Sequence, residues 1–207
     1  MNLVKHRQEL FTSDFNRIIF CQPESLAHRQ NKAFEKIKQA FPRAELVNGL
    51  PNVSKLNLDL NNLPCFIIID DQMTTLLNSA EILDIVSVKC HHFNLTICIV
   101  LHNFFGPSKY GKTITRNLNY LVFFKNPSDL RELRNISCQI TPTHPTFMQA
   151  NFDFLSERFP TDPSHYIIVN GHNRSKMTNM QFYTHIFPNV AREIKPIFFF
   201  PNPNFKK

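Results

Sequence analysis

The chain reads as an α/β layered protein with a mostly parallel sheet flanked by helices. Two runs, Cys65–Ile69 and Leu95–Leu101, are apolar without alternation, as in strands buried on both faces of a parallel sheet. Segments with helical spacing separate the runs. Only 4 glycines occur in 207 residues, too few for the many tight turns of an all-β fold.

In chain order, Arg17–Gln22 reads as a short buried strand closed by Pro23. Glu24–Phe41 places Leu26, Ala33, Phe34, Ile37, Ala40 and Phe41 near helical spacing, and Pro42 ends it. Glu45–Val47 is a short strand before an Asn48-Gly49 turn, and 52–63 is polar and irregular. After the strand Cys65–Ile69, a helix is predicted over Thr75–Val88, then the strand Leu95–Leu101 and a third at Tyr120–Phe124. Ser128 reads as the N-cap of a helix to about Gln139. Thr143–Phe159 is predicted amphipathic, with Phe147, Ala150, Phe154 and Leu155 inward. Tyr166–Val169 is a late strand turning at Asn170-Gly171. Residues 1–190 are assigned to one domain, and 191–207, rich in Pro and Phe, to a loosely ordered tail.

Apolar residues at 43% and charged residues at 19% exclude a disordered chain. A formal charge of +7 suits a polyanionic partner. The cysteines, Cys21, Cys65, Cys90, Cys98 and Cys138, are odd in number and form no CxxC pair, which points to a reducing compartment without a disulfide framework. No apolar run reaches the roughly 18 residues of a membrane span, and the first residues do not read as a signal peptide. The expectation is an intracellular protein, cytoplasmic or nuclear, with no membrane partner.

The sharpest chemical signal is Phe66-Ile67-Ile68-Ile69-Asp70-Asp71. In P-loop NTPases an apolar strand presents an acid that holds Mg²⁺, and an adjacent acid can orient and deprotonate the attacking water. An Asp-Asp turn that merely closes a strand is the other reading. The next strand ends in His102-Asn103, where a polar tip can sense a γ-phosphate or simply end the strand. Gly106-Pro107-Ser108-Lys109-Tyr110-Gly111-Lys112-Thr113 fits G-x-x-x-x-G-K-[ST] letter for letter. It lies after the acidic strand rather than before it, and only Ile114–Asn119 separate it from the next strand, too short for a crossover helix. Cys90-His91-His92 has no second cluster at zinc spacing. Lys109, Lys112, Arg116 and Lys125, interleaved with Tyr110 and Tyr120, form either a DNA or phosphate face or a solvated basic surface.

Taken together, Phe66–Met73, His91–Leu95 and His102–Phe105 resemble the DNA-packaging ATPases of Polinton/Maverick elements and adintovirus-like viruses, poxvirus-type ATPases of the FtsK/HerA superfamily. The most specific stretch runs from Thr113-Ile114-Thr115 through Asn119–Lys125 to Asn126-Pro127-Ser128-Asp129. The resemblance spans about residues 3 to 190, including Arg17–Cys21 and Val47–Pro51. It implies an ATP- and Mg²⁺-dependent motor, usually a homo-oligomeric ring, that translocates double-stranded DNA.

In that family's terms Asp70 would hold Mg²⁺ and Asp71 would act on the catalytic water. His102 stands where Gln is usual, with Asn103 beside it; Lys112 stands where Arg is frequent, and Ser128 replaces a usual Arg. On the basic-face reading of the residues themselves, Lys109, Arg116 and Lys125 would meet the nucleic acid. The family's phosphate loop and first core strand precede the segment matching Asn2–His6. The chain as it stands is therefore expected to be an incomplete, ASCE/RecA-like P-loop domain that binds neither ATP nor Mg²⁺, does not hydrolyse ATP, and has an incomplete, aggregation-prone sheet. The alternatives are a non-catalytic nucleic-acid-binding module derived from such an element, or a working loop at Gly106–Thr113.

Overall fold

The computed structural model describes residues 2–52, 63–102, 108–126, 130–162, 165–171, 182–187 and 196–201. They fall into two compact units, Met1–Asn117 and Leu118–Lys207, each with its own four-stranded sheet.

The first unit is α/β. Strands β1 (Arg17–Gln22), β2 (Glu45–Asn48), β3 (Cys65–Asp70) and β4 (Leu95–Val100) run in parallel in the order β2-β1-β3-β4. Successive side chains of a strand alternate between faces, and here both faces meet apolar partners. Ile19, Cys21, Ile67 and Ile69 pack with Leu76, Leu77, Ile82, Ile85 and Ile114. On the other face Ile18, Phe20, Phe66 and Ile68 pack with Val4, Phe15, Phe34 and Ile37. The first cluster draws on α4 (Met73–Asn78), α5 (Ala80–Asp84), the π-helical turn Ile85–Lys89 and α7 (Gly111–Arg116); α6 (Cys90–His92) precedes β4. The second draws on α1 (Asn2–Lys5) and α3 (Lys32–Ala40), while α2 (Arg7–Leu10) follows α1. This double cover explains why the strand sequences are apolar without alternation.

The single helix expected over Thr75–Val88 is broken. Ser79 is extended (φ −86°, ψ 121°) and its hydroxyl accepts from Ile82 N, so it restarts the helix as a new N-cap. Helix α3 begins at Lys32, where the Asn31 side chain accepts from the amides of Ala33 and Phe34.

The two edges of this sheet differ. β2 is four residues long, largely exposed, and tied by a bidentate Arg17–Glu45 pair at 2.9 Å. β4 has six residues without a charge; Ile97, Cys98 and Ile99 are half-buried and Val100 is 40% exposed.

The second unit is an antiparallel meander of β5 (Tyr120–Phe124), β6 (Tyr166–Asn170), β7 (Phe182–Thr184) and β8 (Ile197–Phe199). Its helices are α8 (Leu130–Ile140) and α9 (Phe147–Arg158). One face carries Leu121, Ile167, Val169, Phe182 and Phe199, all buried, and Phe147 of α9 meets Phe182 edge-on at 4.8 Å. The other face carries Tyr120, Val122, Phe124, Tyr166, Ile168, Asn170, Tyr183 and Phe198, register partners across the strands, with Ile168 buried among them.

Three sequence expectations change here. Tyr120–Phe124 joins this antiparallel sheet instead of extending the parallel one. The C-terminal stretch expected to be loosely ordered contributes β8, whose Phe199 is buried. Phe154 is 46% exposed; Met148, Phe152 and Leu155 are the buried side of α9.

Candidate functional site at the tips of β3 and β4

The parallel register pairs Asp70 with Val100, so the residues that follow each strand emerge side by side. Asp70 is half-buried at the end of β3. Asp71 follows with φ +51°, in the left-handed region that side-chain-bearing residues other than Asn and Asp seldom adopt. Its imidazole neighbour is His102: Nε2 lies 3.2 Å from Asp71 Oδ1, with side-chain exposures of 78% and 55%.

The chain on the far side of Asp71 is pinned. Gln72 is buried, and its Nε2 donates to the carbonyl of Gly49 at 3.1 Å. Gly49, at φ +88°, in turn donates its amide to the Gln22 carbonyl. Strand β3 fixes one side of Asp71 and this buried amide fixes the other. The left-handed backbone at Asp71 is therefore held by its surroundings.

Burial, and then the neighbouring Asp71 carboxylate, push the Asp70 carboxyl above its ordinary value, while His102 pulls the other way. Among the described residues no donor hydrogen-bonds to Asp70, and no group of three or more His, Cys, Asp or Glu side chains is arranged to hold a metal. Two carboxylates, Asp70 half-buried and Asp71 exposed, therefore stand at one strand tip with an exposed imidazole beside Asp71.

Lys109, Tyr110 and Gly111 dock on the end of α4. Lys109 N donates to Asn78 Oδ1 at 2.8 Å and Tyr110 N to the Leu77 carbonyl at 3.0 Å. The amides of Thr113 and Ile114 both donate to the Tyr110 carbonyl. A phosphate loop needs such amides free to meet phosphate oxygens. A β-carbon on Gly111 would sit 2.2 Å from Ser108 Oγ and 3.1 Å from its Cβ, so Ser108 packs closely on this glycine. The helix that follows is six residues long and Lys112 is exposed on it. Asn103, Gly106 and Pro107 lie outside the described residues, as does Ser128.

The basic residues divide between the units. Lys109, its ammonium 5.0 Å from the Tyr110 ring centre, and the exposed Arg116 belong to the first. Lys125 belongs to the second, where its ammonium donates to Ser156 Oγ at 2.6 Å and lies 3.7 Å from Asp153.

Sequence reasoning missed the polar cluster at the tip of β1. Gln22 is fully buried; it donates to Asn48 Oδ1 at 2.9 Å and accepts from Asn31 Nδ2 at 2.8 Å. A depression of about 270 Å³ beside it is lined by Gln22, Leu26, Arg29 and Asn31 among others, and by none of Asp70, Asp71 and His102. A glutamine closing the apolar run Ile18–Cys21 was the available signal.

All five cysteines are free. Among the described residues no helix is long and apolar enough to cross a membrane. Set against known proteins, the chain matches no family model, no curated protein and no solved structure.

Proposed function

We propose that the first unit carries the acidic strand tip of a P-loop-type ATPase that moves double-stranded DNA, the packaging-motor family its sequence resembles, and that this chain alone does not hydrolyse ATP. The observation that carries the reading is Asp71, held at φ +51° beside Asp70 and 3.2 Å from His102, which stands two residues past the end of the neighbouring parallel strand. Asp tolerates the left-handed region, so the approach of His102 to a pair of adjacent carboxylates supports this reading over a turn that only closes a strand.

The chemistry of Asp70 and Asp71 suits a Mg²⁺ ion, a departure from the expectation that this chain alone binds none. Mg²⁺ is commonly held by one or two carboxylates, with waters and substrate phosphates completing its shell. Asp70, raised in pKa by burial and by Asp71, gains from a nearby cation. With ATP present, such an ion supplies neutralisation of phosphate charge. Asp70 would hold it, and Asp71 would orient a water and accept its proton. His102 would position the Asp71 carboxylate, and the exposed pair leaves it free to move toward a phosphate.

The engaged amides of Lys109, Tyr110, Thr113 and Ile114 support the second half of the proposal, since they offer no cradle for phosphates. Double-stranded DNA and a ring of subunits enter as what the family resemblance supplies. The test is Mg²⁺-ATP calorimetry on the chain, Asp70→Ala and Lys112→Ala, with ATP turnover measured alongside. No tight nucleotide binding and no turnover are expected in any version. Tight binding lost in Lys112→Ala would make Gly106–Thr113 the phosphate loop and overturn this reading.

A further inference from the structure

The open face of the second sheet is the largest feature the strand-tip reading leaves unused. Tyr120 is 54% exposed, Phe124 64% and Phe198 41%. They share a face with half-buried Tyr166 and Tyr183, and the rings pair across strands: Phe124–Tyr166 at 6.0 Å and Tyr183–Phe198 at 5.9 Å. Soluble proteins seldom leave such a contiguous apolar face without a binding role.

The composition of the face selects its partner. Its exposed members are mainly aromatic, and no residue of the face in the four strands is charged. Among the described residues no strand position of the face carries a carboxylate, and the acidic group that acts on Tyr166 is Asp162, outside the strands. Lys and Arg outnumber Asp and Glu ten to six across Leu118–Lys207, so the unit attracts phosphate. Rings on an open antiparallel sheet stack on unpaired bases of any sequence, whereas paired bases present only their edges and backbone.

We propose that this face is a stacking platform for single-stranded nucleic acid, with Tyr120, Phe124 and Phe198 as the rings that meet bases. It uses none of the residues of the β3–β4 tip, so the two readings stand or fall separately.

The chain contains no tryptophan and 4 tyrosines, three of which, Tyr120, Tyr166 and Tyr183, lie on this face. Intrinsic tyrosine fluorescence therefore reports the platform directly. A short oligothymidylate titrated into the full chain at low salt should quench that fluorescence saturably, and a duplex should bind more weakly. Phe124→Ala should weaken oligothymidylate binding about ten- to one-hundred-fold, and Phe124→Tyr should restore it. Exposed positions tolerate such changes, and an unchanged melting temperature confirms that the variant is folded.

Absence of oligothymidylate binding would overturn the proposal. So would binding equal for duplex and single strand and indifferent to Phe124→Ala, which would reduce it to phosphate attraction. Sedimentation showing self-association that Phe124→Ala abolishes would assign the face to a second copy of this chain instead.

Discussion

The two sheets are built from similar residues and finished in different ways. In the parallel sheet Ile67 and Phe66 point to opposite faces and both are buried, because helices cover each side. In the antiparallel sheet Leu121 is buried and its neighbours Tyr120 and Val122 are exposed, because the described helix contacts lie on one side only. A continuous apolar strand thus marks double cover, and an aromatic alternating strand marks an open face. The comparison separates residues that hold the fold from residues left available for partners.

The largest effect should come from the closed sheet. Phe66 is 1% exposed and its ring stacks on Phe15 at 5.0 Å. Phe66→Ala should cost about 3–5 kcal/mol in denaturant unfolding, while Val122→Ala on the open face should stay within about 0.5 kcal/mol. Equal costs for the two would break the comparison.

The strand tips sharpen it further. Gly49 and Asp71 both have positive φ, but only Gly49 is a glycine. A β-carbon at Gly49 would also meet Glu24 Oε1 at 2.9 Å. Gly49→Ala should therefore destabilise by about 1–2 kcal/mol. Asp71→Gly should stabilise by about 0.5–1 kcal/mol, the mark of a residue retained for its side chain. Denaturation midpoints check both, and a destabilising Asp71→Gly would remove the argument from backbone strain.

A smaller effect concerns Asp70. Burial and Asp71 raise its carboxyl pKa in the fold, so the charged form is favoured less there than in the unfolded chain. Its contribution is present below the unfolded value and lost as pH rises through the folded one. Asp70→Asn should then raise the melting temperature near neutral pH by roughly 1–2 °C, since the half-exposed group is partly screened. The gain should fade below about pH 4. Thermal melts at the two pH values test this.

The smallest change separates thiols. Burial pushes Cys21 up to about 12 and Cys65 to about 11. Cys138 is exposed. A thiol reagent near neutral pH should label Cys138 first and leave Cys21 and Cys65 unmodified until the chain unfolds.

Much of the first unit was legible because its signals are local. Uninterrupted apolar runs located β3 and β4, and Pro23 marked the stop after β1. The break at Ser79 was hidden because Leu76, Leu77, Ile82 and Ile85 keep an apolar spacing across it. Phe154 was misplaced because α9 carries phenylalanine on more than one side, which leaves the phase ambiguous. The separation of β5 from the parallel sheet depends on its pairing with β6, more than forty residues later, and no local pattern encodes that. At the candidate site, the Asp70-Asp71 pair and His102 could be read from strand-end chemistry. Their 3.2 Å approach follows from the β3–β4 register, and the left-handed turn at Asp71 follows from Gln72 anchored on Gly49. Both are tertiary facts.

The most direct test of the central claim is Mn²⁺ binding to the chain, followed by water-proton relaxation as a stand-in for Mg²⁺ and compared with Asp70→Asn and Asp71→Asn. The account predicts saturable binding by the parent chain that is lost in Asp70→Asn and weakened in Asp71→Asn. Identical titrations for all three proteins would contradict it.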